Sequence, residues 1–185
     1  MEPNKKLNTE NSCYMDSNEL RALQAPLKDE YKSNPGKAEW VLQAEGKLGS
    51  DISCSVETYA GEAEAGLHPA TGGDGSEACS GDMLLQALVA CAGTTLKSVA
   101  TAMSINIKNG KITAEGDLDF RGTLGVSKEV PVGFKAIRMQ FELDTDAEDK
   151  KLEKLLELTE RYCVVYQTLQ KSPVMETEVT VVNNR

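Results

Sequence analysis

The sequence is poor in metal ligands. His68 is its only histidine, and its five cysteines, Cys13, Cys54, Cys79, Cys91 and Cys163, include no CxxC pair. That leaves no ligand set for a structural zinc, and no metal site is expected. A basic excess is missing too: the net charge is −9, spread along the chain rather than blocked. Neither a nucleic-acid backbone nor an anionic membrane is an expected partner. No charged-then-apolar leader opens the chain, since Met1 to Ser12 is polar throughout, so the expected location is cytoplasmic. The glycine run Gly72-Gly73-Asp74-Gly75 lacks a following lysine and carries an acid, which argues against a phosphate cradle. No repeat or linker divides the 185 residues, which suffice for one sizeable domain with an N-terminal appendage.

What the chain does have is one long apolar stretch, Ser80 to Met103, in which only Asp82 and Lys97 are charged. Ser80 reads as an N-cap and Asp82 as a first-turn acid facing the positive end of the helix dipole. Leu84, Leu85, Leu88, Val89, Ala92, Leu96, Val99 and Met103 recur at spacings of three and four, and Ala87, Ala90 and Ala100 fill the other faces. The pattern predicts a central helix buried nearly all round, with Cys91 in its middle. Its length just reaches that of a bilayer span, but its alanine, glycine and hydroxyl content favours a soluble core helix.

Around it the period alternates between helix and strand. Residues 1–15 carry no periodicity and read as a mobile tail, with Cys13 a thiol without a role. Asp16-Ser-Asn-Glu19 resembles a capping box opening a helical extension over 16–36, with Leu20, Leu23, Leu27 and Tyr31 on one stripe and Pro26 expected to kink it or start a second helix. From Ala38 the period is two: Trp40, Leu42 and Ala44, then Ile52, Cys54 and Val56, predict an antiparallel hairpin with Cys54 a small buried hydrophobe. A third strand near Glu62 to Gly66 leads into a glycine-rich loop ending at Cys79, the expected wall of a site. In it, His68 is a candidate proton carrier but reads first as a turn residue.

After the central helix, Ile112, Ala114, Leu118 and Phe120, and again Ile137, Met139, Phe141 and Leu143, predict two strands separated by an excursion over Gly122 to Gly133. A capping box at Thr145-Asp-Ala-Glu148 opens a second helix, with Leu152, Leu155, Leu156, Thr159, Tyr162, Cys163 and Tyr166 on one stripe and a break expected at Val164-Val165. Ser172-Pro173 stops it, and Val174 to Val182 reads as a final strand. The class is α+β. Two helices each bring a cysteine to an apolar face, so Cys91 and Cys163 are either inert core thiols or a redox pair.

The stretch from Ser80-Gly-Asp-Met to Val-Ala-Cys91, together with Arg161-Tyr-Cys163-Val-Val-Tyr-Gln-Thr-Leu169, resembles the OsmC/Ohr family of hydroperoxide-reducing proteins, over residues 37–185. The resemblance implies an OsmC-like fold in which antiparallel sheets wrap two long central helices, and an intertwined homodimer with sites at the subunit interface. It implies Cys91 as peroxidatic thiolate and Cys163 as resolving thiol, organic hydroperoxides (with hydrogen peroxide a further candidate) as substrates, no bound cofactor, and an external dithiol or lipoyl-type reductant. Family members pair a glutamate, about ten residues before the first cysteine, with an arginine from the N-terminal hairpin. Here Gly81 holds that position, with Asp82 beside it and Glu77 four residues back, and the segment Ala38 to Tyr59 contains no arginine. Arg21, Lys47, Arg161 or a residue of a second subunit is then the expected activating cation. Cys79 is a further candidate disulfide partner for Cys91, and a ligand-binding or stoichiometric oxidant-sensing protein on the same fold is the alternative to an enzyme.

Overall fold

The computed structural model describes residues 15–182. Asp16 opens α1 (Ser17–Ser33) with the expected capping box: its carboxylate accepts the Asn18 and Glu19 N–H groups at 2.7 and 2.9 Å, and the Glu19 carboxylate accepts the Asp16 N–H at 2.8 Å. Pro26 lies inside this helix and does not start a second one, a correction to that half of the expectation. The helix buries no residue, so the carbonyl left without a partner by Pro26 is open to water.

Three short strands follow, β1 (Gly46–Leu48), β2 (Cys54–Thr58) and β3 (Gly61–Gly66), paired antiparallel with Gly46 opposite Val56 and Cys54 opposite Ala65. The predicted hairpin exists but begins later. Residues 40–44 form no strand, and Trp40, Val41 and Leu42 are 79, 94 and 91% exposed. The predicted last strand, 174–182, is likewise unpaired, with Val174 90% exposed. Alternation records a strand's fitness for a sheet, and among the described residues neither segment has a neighbour to pair with.

β4 (Ala78–Cys79) joins β3 in parallel, Gly66 opposite Cys79, and passes directly into α2 (Ser80–Ala102). That bridge holds Cys79 extended, so Cys79 and not Ser80 is the N-cap, without a side-chain capping bond. Asp82 sits in the first turn as expected. Leu88, Ala92, Leu96 and Ala100 are buried, whereas Leu84, Ala87, Ala90 and Thr94 stay exposed, so within one chain α2 is covered on one side only. It is the only helix among the described residues long and apolar enough to cross a membrane.

β5 (Ile107–Asp117) and β6 (Ala136–Thr145) form the long antiparallel pair, with Ile112 opposite Phe141 and Ala114 opposite Met139. Phe120 leaves the predicted strand and opens the short α3 (Phe120–Thr123), capped by Asp119 through the Arg121 N–H. Gly116 lets the Phe134 ring lie on β5, since a Cβ there would stand 2.4 Å from Phe134 Cε1. The expected Thr145 capping box does not form: Thr145 ends β6, its hydroxyl donates to the Asn106 carbonyl at 2.6 Å, and Glu148 is the N-cap of α4 (Asp149–Tyr162). Cys163, with φ −73° and ψ 108°, breaks the helix where the two valines predict, and α5 (Val164–Gln170) begins beyond it. Two core clusters line up along α2, one of Leu96, Ala100, Ile105, Ile107 and Leu155, the other of Leu88, Ala92 and Cys163.

Candidate active site

The second of those clusters contains both helix-borne thiols. Cys163 is 1% exposed and packs with Leu88 and Ala92 of α2, and Cys91 is half-buried against the same group. Both are free thiols, and each is the other's hydrogen-bond partner. The joint between α4 and α5 creates this arrangement. Because Cys163 caps α5, the first N–H groups of that helix, from Val164 and Val165, have no intrahelical acceptor and are directed at Cys91.

Burial pushes the Cys91 thiol up, but the Val165 N–H, the Cys163 thiol, the Val164 N–H and the Thr95 hydroxyl together outweigh it and hold Cys91 below the ordinary thiol value. Cys163 moves the opposite way. Burial raises it, the Tyr166 N–H offsets part of that, and the neighbouring Cys91 raises it further. The pair is therefore divided into an ionisable sulfur on α2 and a protonated donor on the α4–α5 joint.

This predicts a specific result for Val164→Pro. Val164 is the first residue of α5 and 69% exposed, and Cys163 before it already has the extended backbone that a following proline demands. The fold should survive while one donor to Cys91 disappears, so the pH profile of Cys91 alkylation by iodoacetamide should move to higher pH. An unmoved profile would remove the amides from the account.

Of the expected activating residues, none lies among the groups that lower Cys91. Lys47 is exposed and pairs with Glu57 at 3.6 Å. Arg21 lies on α1, whose first residues meet the last turns of α2 around Ser98 and Thr101. The Arg161 guanidinium stands over the Tyr162 ring, 5.5 Å from its centre. Asp82 is exposed and, at nine residues from Cys91, about 14 Å along the helix. Glu77 covers Gly66. A Cβ at Gly81 would meet Phe134 at 3.5 Å, the Cys79 sulfur at 3.6 Å and Leu118 at 3.9 Å, so a glutamate there would enter apolar surroundings.

His68 is the turn residue its context predicts. Its Nδ1 accepts the Ala70 N–H at 3.0 Å and its ring stacks on Phe120 at 4.9 Å. Cys79 lies about 18 Å from Cys91 along an unbroken helix, too far for a disulfide within one chain. Cys54 is half-buried in β2, and Cys13 lies outside the described residues.

A cleft of about 470 Å³ opens beside Cys163 between α2, β6, α4 and α5, walled by Leu88, Ile137, Met139, Phe141 and Leu169, with Tyr166 also lining it. Residues 73–178, more than half of the chain, match the OsmC-like protein family. The chain belongs to the OsmC-like family. An OsmC-like protein from Mycoplasma pneumoniae superposes with a TM-score of 0.62 at 16% identity, over 72% of this chain and 90% of that one. An organic hydroperoxide resistance protein OsmC from Legionella pneumophila gives 0.57 at 17% identity, over 72 and 93%. One from Elizabethkingia anophelis, with thiocyanate bound, gives 0.54 at 14%, over 72 and 91%. At these identities the likeness is one of fold. No curated protein matches the sequence. The OsmC-like match spans the segment from the glycine-rich loop through α5, and so includes both thiols.

Proposed function

We propose that this OsmC-like protein is a thiol peroxidase that reduces organic hydroperoxides through Cys91 and Cys163, working as a homodimer. The observation that carries the reading is the divided pair: a sulfur held toward its thiolate by two main-chain amides, in hydrogen-bond contact with a second, protonated thiol. The Cys91 thiolate attacks the distal oxygen of the hydroperoxide, an S–O bond forms as the O–O bond breaks, and the alcohol leaves with one proton. The Cys163 sulfur then attacks the Cys91 sulfenic acid, water departs, and a disulfide joins α2 to the α4–α5 joint. An external dithiol restores both thiols by exchange. The apolar cleft beside Cys163 supports an organic rather than a purely inorganic peroxide.

The uncovered apolar side of α2 supports the dimer, because exposing Leu84 and its alanine neighbours to water is unfavourable. Light scattering on the purified protein should give twice the chain mass. The same cleft supports a second reading, in which the protein binds a small apolar ligand or senses oxidants stoichiometrically. One experiment separates these. After one equivalent of cumene hydroperoxide, intact-mass and peptide analysis should show the loss of two hydrogens mapped to Cys91 and Cys163, and added dithiol should sustain consumption. A disulfide without turnover would favour the sensor, and unreactive thiols the binding protein.

A further inference from the structure

Helix α1 is well capped and has little to pack on. None of its 17 residues is buried. Its first turns touch α2, where Ser17 and Leu20 line a hollow with Lys97, Ser98 and Thr101. Beyond them its apolar stripe stays open, with Leu23 60% and Leu27 49% exposed. The stripe ends at Tyr31, which lines a second hollow together with Leu27 and Trp40. Trp40 is the single tryptophan of the chain, exposed, with its indole Nε1–H donated to the Lys37 carbonyl at 3.3 Å. A helix of this length is marginal in water without a packed face, and a large aromatic oriented at a surface is the usual anchor of a contact. The OsmC-like match begins only at residue 73, so it does not account for this segment.

We propose that α1 and Trp40 form an arm that grips a second copy of this chain and extends the contact made by α2. The proposal rests on the homodimer reading and deepens it. Its first support is position. Lys97, Ser98 and Thr101, on which α1 stands, continue at steps of three and four the α2 stripe of Ala87, Ala90 and Thr94 that a single chain leaves uncovered. The arm therefore rises at the end of the open face, and a body laid on that face meets it. Its second support is charge. Two chains of net charge −9 repel each other, but α1 carries three acids, Glu19, Asp29 and Glu30, against three bases, Arg21, Lys28 and Lys32. This neutral, leucine-bearing surface suits a copy of the same acidic chain, and it offers no basic face to an anionic membrane. Under two-fold symmetry each arm grips the other chain.

Trp40 reports on the arm directly, because its fluorescence is the only tryptophan signal of the full-length chain. The wild type should sediment as a dimer, with Trp40 emission to the blue of free tryptophan amide and quenched by acrylamide at least about threefold less efficiently. The full-length Leu23→Gln/Leu27→Gln variant should raise the dimer dissociation constant by about a hundredfold or more and open Trp40 to acrylamide. Its circular dichroism should stay close to that of the wild type, since neither leucine is buried in one chain. Unchanged affinity in the variant, or a wild-type Trp40 as open to acrylamide as free tryptophan amide, overturns the arm and leaves the α2 contact standing. A monomer at every concentration overturns the dimer and the arm together, and a shielded Trp40 in that monomer places its cover within the chain. Unreactive thiols toward cumene hydroperoxide, beside the expected dimer results, remove the peroxidase and leave the arm.

Discussion

Cys91→Ser is expected to lose hydroperoxide consumption by more than about a thousandfold, because the other thiol at that point of the fold, Cys163, is buried and held protonated. The change replaces one small half-buried atom, so circular dichroism and the light-scattering mass should match the wild type. Cys163→Ser should behave differently. Its Cys91 still reacts once, but the sulfenic acid finds no partner thiol and proceeds to sulfinic acid, visible as a gain of two oxygens under excess peroxide. Comparable steady-state consumption by wild type and Cys91→Ser would refute the enzyme reading outright.

Leu155→Ala is expected to cost about 2–5 kcal/mol of unfolding free energy. Leu155 is completely buried and is the contribution of α4 to the cluster made with Leu96 and Ala100 of α2 and Ile105 and Ile107 beyond it. That cluster is what holds α4 against α2, and so it also sets where Cys163 stands relative to Cys91. Against a typical total of about 5–15 kcal/mol, the loss is a large fraction of the whole. A urea titration measures it, and a loss of unfolding free energy below about 0.5 kcal/mol would mean that α4 is held elsewhere.

The parts of the fold that were legible are those whose evidence is local. Asp16 and Glu19 announce a helix start because both halves of a capping box lie three residues apart, and the alternation of Ile137, Met139, Phe141 and Leu143 describes β6 because each inward side chain meets the helices. Val164-Val165 marked the helix break correctly. Alternation at 40–44 and 174–182 misled because strand-forming residues specify a partner they do not supply. Thr145 misled because it ends β6, where its hydroxyl donates to the Asn106 carbonyl and accepts the Ala147 N–H, three residues before the Glu148 that caps α4.

The source of Cys91 activation was not legible at all. The sequence directs attention to charged side chains, whereas the groups on the sulfur are the main-chain N–H groups of two valines about 70 positions away. The one available signal was the predicted break: a helix interrupted directly after a cysteine must present a fresh set of unpaired amides beside it.

The same separation gives the α2-to-joint contact a second meaning, that of a tie in a polymer. A bond between Cys91 and Cys163 would close a loop of about 70 residues, and in the chain-entropy account a loop of that size removes about 4 kcal/mol of freedom from the unfolded ensemble. The loop encloses β5, α3, β6 and α4. Each oxidation cycle would thus fasten and unfasten the middle of the molecule, so that its resistance to unfolding rises and falls with the peroxide it has just met.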